Sequence, residues 1–351
     1  MSKQKVVILS PFPISEEARE RWRRKFPNFD FIFHLKTWGE PRAVETVPDE
    51  DWKKTVALFT PSALPAPEQV PKLQFVQLSS AGANMIINHP LYKDTNITFT
   101  SAKGAYDPQI AEWAVSTFIG VRHHLYRYHE QQKQRLWNRI LDPVPSSVGQ
   151  TVGILGYGSI GRQVARVSQA LGIKVHAYTL HPKNTPESRR SESGLADNLG
   201  DPEGTIPEKW YSGTTKEELH EFLGSDLDWL LISVPLTAKT KHLIAREELQ
   251  VLSKKRAFIS NIARGPIVQT DDLVEALENG SIAGAALDVT DPEPLPKEHP
   301  LWNAPNTIIT PHISAFSTAA PDRVLRIFEY NLEQLVAGKK LINIIDRKEN
   351  Y

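Results

Sequence analysis

Short β-branched runs alternate with helical patterns along most of the chain, which predicts a parallel α/β architecture. In the first hundred residues, Val6-Val7-Ile8-Leu9, Val56-Ala57-Leu58-Phe59, Phe75-Val76-Gln77-Leu78 and Ile97-Thr98-Phe99 read as strands. A second series begins at Val152-Gly153-Ile154-Leu155 and Lys174-Val175-His176-Ala177-Tyr178. It continues through Trp229-Leu230-Leu231-Ile232, Ala257-Phe258-Ile259, Ala285-Ala286-Leu287 and Thr307-Ile308-Ile309. Six such strands with intervening helices suit a doubly wound dinucleotide-binding sheet. The earlier four suit a smaller sheet of their own.

A helix is expected to open at Asp107-Pro108, where a carboxylate can cap free N–H groups and proline loses no needed donor. Ile110, Ala111, Ala114, Val115 and Phe118 then recur at helical spacing. Pro321 opens another helix whose Val324, Ile327, Phe328, Leu332 and Leu335 share a face, and Gly338 ends it. Because that helix follows the last strand of the second series, it is expected to pack back on the first domain. Residues 182–213, rich in Pro, Ser, Gly and charge, read as a long insertion loop.

Composition narrows the function classes. A chain of 351 residues, 40% hydrophobic, exceeds what one core usually organises, so two domains are expected. Lys+Arg and Asp+Glu both number 41, which argues against nucleic acid as a main partner. With no cysteine, thiolate nucleophiles, disulfides and Cys-ligated metals are excluded. No run approaches the roughly 20 apolar residues of a membrane span, and a cytoplasmic protein is the expectation. Asn96-Ile97-Thr98 has the form of a glycosylation sequon but reads as strand.

Gly156-Tyr157-Gly158-Ser159-Ile160-Gly161 follows the Val152 strand and opens a helix. Glycines there permit a tight turn and close backbone approach to a pyrophosphate, whose charge the helix N-terminus favours. The end of the next strand bears on which dinucleotide binds. An Asp or Glu about 20 residues on is the usual partner of an NAD ribose, but here the position is Thr179, with His181, Lys183, Arg189 and Arg190 around it. A neutral side chain removes the repulsion against a 2′-phosphate, and cationic neighbours can pair with one. NADP, preferred or used alongside NAD, is therefore the expected cofactor.

Three further segments each follow a strand: Asn261-Ile262-Ala263-Arg264-Gly265-Pro266, Asp288-Val289-Thr290-Asp291-Pro292-Glu293-Pro294 and Thr310-Pro311-His312-Ile313. Ligands of open α/β sheets bind outside the carboxyl ends of the strands, so these segments belong at one crevice. Reduction of a 2-oxo acid needs such parts. Arg264 can hold a carboxylate and polarise a ketone through its planar, permanently charged fork. His312 can protonate the new alkoxide, and Glu293 beside it favours the imidazolium form.

The glycine loop together with the Asn-x-Ala-Arg-Gly, Asp-Val…Glu-Pro and Pro-His-Ile segments resembles the D-2-hydroxyacid dehydrogenase family, from about Ser79 to Ile313. The resemblance implies Arg264 as the catalytic cation, His312 as acid/base and Glu293 as its partner. It implies further that Asp288 contacts the nicotinamide carboxamide, that Val234-Pro235-Leu236-Thr237 and Ala263 line the cofactor, and that Ser80-Ala81-Gly82-Ala83 receives the substrate carboxylate. The implied fold is a Rossmann-type doubly wound domain, residues 105–313, inserted into a flavodoxin-like α/β domain of residues 1–104 and 314–351. A homodimer is implied as well. Tyr106 lies near the expected hinge, and Tyr106, Trp38, Trp302 and Phe316 together suggest a bulky apolar or aromatic 2-oxo acid over glyoxylate or hydroxypyruvate.

Two rival functions share this fold. Formate dehydrogenases of this fold typically carry glutamine where Glu293 stands, and their chemistry has no alkoxide to protonate. A dinucleotide-sensing binding protein without turnover would favour extended tails or partner surfaces. Elsewhere, His123, His124 and His129 sit on the helix opened by Asp107 but do not converge on one face, so no metal site is expected there. The five cations from Arg19 to Lys25 overlie an apolar stripe of Ala18, Trp22 and Phe26, the pattern of a solvated amphipathic helix.

Overall fold

The computed structural model describes residues 3–35, 41–191 and 199–348. Trp38 lies outside them. The chain divides into two compact units, one of Met1–Tyr106 with Ser317–Tyr351 and one of Asp107–Phe316.

The first unit holds a five-stranded parallel sheet of β1 (Gln4–Ser10), β2 (Phe29–Leu35), β3 (Thr55–Thr60), β4 (Phe75–Leu78) and β5 (Thr98–Thr100). Their order is β2-β1-β3-β4-β5, the flavodoxin-like winding. Strand periodicity divides the core between the two faces. Val6 and Ile8 join Trp22, Phe59 and Phe328 on one side, while Val7 and Leu9 join Trp52, Leu58 and Val76 on the other. β2 is an edge strand beyond the four expected from the sequence, and its Phe29, Phe31 and Phe33 alternate along it.

The helix Ala320–Val336 belongs to this unit and packs Val324, Ile327, Phe328 and Leu332 into the same core as Trp22. Trp22 lies on the helix Glu16–Lys25, which Ser15 caps by accepting from the Ala18 N–H at 3.2 Å. The two helices are joined through the buried carboxylate of Glu329. It accepts from Trp22 Nε1 at 2.8 Å, Arg21 Nη2 at 3.0 Å and Lys25 Nζ at 2.8 Å. The helix is the amphipathic one expected, with Ala18, Trp22 and Phe26 buried; Arg21 and Lys25 stay exposed while also reaching Glu329.

The second unit holds a seven-stranded parallel sheet. Its strands are β6 (Thr151–Leu155), β7 (Lys174–Thr179), β8 (Lys209–Ser212), β9 (Trp229–Ile232), β10 (Phe258–Asn261), β11 (Gly284–Leu287) and β12 (Thr307–Ile309). The order β12-β11-β10-β9-β6-β7-β8 is that of a Rossmann sheet, reversing direction at β6/β9. The six-strand expectation is corrected by β8, a short edge strand at the end of the presumed loop. Pro186–Arg189 also forms a helical turn within that loop, capped by Thr185. The helix opened by Asp107 ends at Arg122, and a second runs Leu125–Lys133. His124 between them has φ of 54°, so the three histidines do not share one helix. No helix among the described residues is long and apolar enough to cross a membrane.

Burial pushes the Glu329 carboxyl up, but the hydrogen bonds from Lys25, Trp22 and Arg21 outweigh it and hold the group below the usual carboxylate range. A depressed acid stabilises the fold above its unfolded value, and that contribution is lost as pH falls through the folded one. Glu329→Gln should therefore cost about 2 kcal/mol at pH 7 by urea denaturation. Its stability should also fall less steeply than that of the parent between about pH 5 and 3; parallel pH profiles would contradict this role.

Candidate active site

Parallel strands in register place their following residues along one edge. Leu155 pairs with both Tyr178 and Ile232, Asn261 with Ile232, and Leu287 with both Asn261 and Ile309. The glycine loop, Thr179, the Val234 turn, Arg264, Asp288 and His312 thus all leave the carboxyl edge of the second unit's sheet.

The glycine loop fits a dinucleotide pyrophosphate. Gly156 has φ of +100°, and a side chain there would meet the Ser233–Val234 backbone at 2.9 Å. A side chain at Gly161 would meet the Gly156 carbonyl at 2.6 Å. Gly158 caps the helix Ser159–Ala170 with no side chain on its first N–H groups, and the space beside its Cα is open. Ser159 and Ile160, in the helix's first turn, are half-buried. Tyr157 is different: its ring is buried, and its hydroxyl donates to Asp201 Oδ2 at 2.7 Å.

At the end of β7, the Thr179 hydroxyl donates to the His181 carbonyl at 2.8 Å, so it braces its own turn. His181 is exposed and Lys183 half-buried. Arg189 Nε donates to the Lys183 carbonyl at 2.8 Å, and Arg190 pairs with Glu203 at 2.8 Å. After β9, Val234 packs on the core and Pro235 is half-buried. Thr240 Oγ1 accepts from the Thr237 N–H at 2.8 Å and donates to the Pro235 carbonyl at 2.7 Å, closing that turn.

After β10, Asn261 shapes the turn that presents Arg264. Its Oδ1 accepts from the Ala263 N–H at 3.1 Å, and its Nδ2 donates to the Arg264 carbonyl at 3.0 Å. Arg264 Nη1 in turn donates to the Ala263 carbonyl at 2.6 Å. Burial pushes the guanidinium down from its ordinary value, while the nearby Glu293 carboxylate raises it. Arginine remains charged under either influence.

His312 Nδ1 lies 2.7 Å from Glu293 Oε1, with both side chains close to half exposed. That contact turns Nε2 away from the carboxylate as the nitrogen available for proton exchange. The Glu293 loop is fixed by Thr290 Oγ1 on the Pro292 carbonyl at 2.8 Å and Thr270 Oγ1 on the Asp291 carbonyl at 3.0 Å. His312 itself has φ of 55°, and its N–H donates to the Asp288 carbonyl at 2.8 Å.

Asp288 is 2% exposed. Its Oδ1 accepts from Thr310 Oγ1 at 2.6 Å and the Ile313 N–H at 2.9 Å. Its Oδ2 accepts from the Ser314 N–H at 3.0 Å and the Ser314 hydroxyl. The carboxylate expected near a nicotinamide is thus committed to the loop that carries His312.

In the first unit, Ser80 donates its hydroxyl to the Gly82 carbonyl at 2.7 Å, tightening the Ser80–Ala83 turn. Ala81 is exposed and Ala83 buried. Tyr106 donates to the Ser79 carbonyl and packs on that unit's core, and burial pushes its phenol well up. Asn261, Thr310, Ser314 and Asp201 were not singled out from sequence. Asn261 and Thr310 each carried a signal, their places at strand ends three residues before Arg264 and two before His312.

The profile described as D-isomer specific 2-hydroxyacid dehydrogenase, NAD binding domain, matches residues 115–199 and 198–314. The chain belongs to the D-isomer specific 2-hydroxyacid dehydrogenase family. It is 31% identical over 287 residues to glyoxylate/hydroxypyruvate reductase A of Salmonella paratyphi B, covering 80% of this chain and 82% of that one. Against the glyoxylate reductase of Thermofilum pendens it is 30% identical over 283 residues, 78% of this chain and 74% of the other. The crystal structure of a D-isomer specific 2-hydroxyacid dehydrogenase family protein from Aeromonas salmonicida superposes with a TM-score of 0.73 at 26% identity, covering 99% and 100% of the two chains. As a family member, the chain is an NAD(P)-dependent oxidoreductase with 2-hydroxyacid dehydrogenase activity.

Proposed function

We propose that this enzyme reduces 2-oxo acids to D-2-hydroxy acids, with Arg264, Glu293 and His312 as its catalytic residues. The observation that carries the reading is the 2.7 Å contact of His312 Nδ1 with Glu293 Oε1, at the same sheet edge from which Arg264 emerges. A bound nicotinamide dinucleotide supplies the hydride. Arg264 holds the carboxylate of the oxo acid and polarises its ketone. His312 delivers a proton from Nε2 to the oxygen that was the ketone, and Glu293 stabilises the imidazolium before that transfer. The Ser80–Ala83 turn is assigned to the substrate carboxylate, with Tyr106 as its buttress. Asp288 acts through the His312 loop as a positioning residue.

NADPH is the preferred reductant in this reading, because Thr179 offers no carboxylate at the ribose and Lys183 and Arg189 stand nearby. The substrate carries a bulky apolar side chain: Trp302 and Phe316 remain 49% and 74% exposed, and the Phe316 N–H closes a turn on Ile313, next to His312. The competing reading, a glyoxylate/hydroxypyruvate reductase, is favoured by the two relatives named above. We assign a homodimer because the stretch after Arg122 leaves Leu125, Leu136, Trp137, Leu141 and Val148 exposed.

Loss of absorbance at 340 nm with phenylpyruvate, 2-ketoisocaproate, hydroxypyruvate and glyoxylate tests both readings. The expected order of kcat/KM puts phenylpyruvate or 2-ketoisocaproate first, and NADPH above NADH. Glyoxylate first would transfer the assignment to the small-acid reductase, NADH first would refute the cofactor choice, and no turnover with any acid would refute the whole reading. Light scattering should give the mass of two chains; a monomer would remove the dimer.

A further inference from the structure

The segment between β7 and β8 is bound to the glycine loop by buried side chains. Tyr157, the second residue of that loop, is 5% exposed and reaches Asp201. The Asp201 carboxylate is fixed from its own side as well, accepting from the Thr205 N–H at 2.9 Å and the Ile206 N–H at 3.1 Å. Arg162, 6% exposed on the helix that the loop opens, donates to the carbonyls of Asp201 and Arg189, and its guanidinium lies 5.0 Å over the Tyr157 ring. Gln163 Oε1 accepts from the Gly200 N–H at 2.6 Å. Trp210, on β8, stands edge-on to Tyr157 with ring centroids 5.0 Å apart.

A surface elaboration would touch its host through exposed side chains. Here Tyr157, Arg162, Gln163 and Asp201 are all buried, and desolvating the Asp201 carboxylate is tolerable only because donors surround it. Burial and the Asp201 charge both push the Tyr157 phenol up, so it stays the donor of this bond. A phosphate loop binds through backbone N–H groups whose placement must be held to a fraction of an ångström. We propose that residues 199–206 are a brace for the phosphate loop, and that Asp201 is a positioning residue for the dinucleotide, acting through Tyr157 without touching it. This rests on reading Gly156–Gly161 as the pyrophosphate loop.

Titration of the full-length enzyme with NADPH, followed by nicotinamide fluorescence, tests the brace. Tyr157→Phe, which deletes one hydroxyl and keeps the ring, should raise the NADPH Kd about five-fold, and Asp201→Ala more than ten-fold. At saturating NADPH, Asp201→Ala should keep kcat and the KM of the oxo acid within two-fold of the parent. Should Asp201→Ala fail to fold, Tyr157→Phe decides alone. An unchanged Kd in a folded variant overturns the brace while leaving the loop assignment intact. A loss of kcat, oxo-acid KM and Kd in step with melting temperature overturns it too, as a purely structural contact. A parent enzyme that binds neither NADPH nor NADH overturns the loop assignment itself, and the brace with it.

Discussion

An ionised carboxylate is rarely buried without partners, and Asp288 is buried with four donors, all from Thr310, Ile313 and Ser314. Those donors frame His312, whose left-handed backbone costs a non-glycine residue about 1 kcal/mol. The Asp288 carboxylate, together with its own carbonyl on the His312 N–H, offsets that cost. The imidazole then reaches Glu293 at 2.7 Å. The contact between Glu293 and His312, the pair proposed to be catalytic, therefore depends on a buried carboxylate whose oxygens both accept from the His312 loop.

The same economy recurs elsewhere in the chain. Glu329 joins two helices of the first unit through three cationic or indole donors, and Asp201 joins the insertion to the glycine loop. In each case a buried acid accepts from at least one buried donor of a distant segment, Trp22 for Glu329 and Tyr157 for Asp201, and removing it would leave that donor unpaired. Around these anchors the strand ends do simpler work. Parallel register brings Arg264, Asp288 and His312 to one edge because Asn261, Leu287 and Ile309 are paired across β10, β11 and β12.

Much of this was legible in the sequence. Parallel strands buried on both faces leave continuous apolar runs, and helix starts such as Asp107-Pro108 carry their own chemistry, so the two-sheet architecture could be read directly. Of the four edge strands, β5 and β12 are read from their β-branched runs; β8 is short with polar ends, and β2, a Phe29, Phe31 and Phe33 alternation with no β-branched run, is passed over. Motifs at strand ends identified Arg264, Glu293 and His312 as candidates by position. What could not be read was the set of long-range side-chain bonds. Nothing local marks Asp201 as the partner of Tyr157, 44 residues away. Nor does anything near Asp288 reveal that its carboxylate faces the His312 loop. Such contacts exist only once the chain has folded.

The central claim is that His312 handles the proton and takes no part in holding the cofactor. Steady-state reduction of a 2-oxo acid by His312→Ala, combined with NADPH titration of the same protein, tests it most directly. The account predicts a fall in turnover of about 10²- to 10⁴-fold with an NADPH Kd close to that of the parent. Turnover near that of the parent, or cofactor affinity lost together with activity, would contradict it.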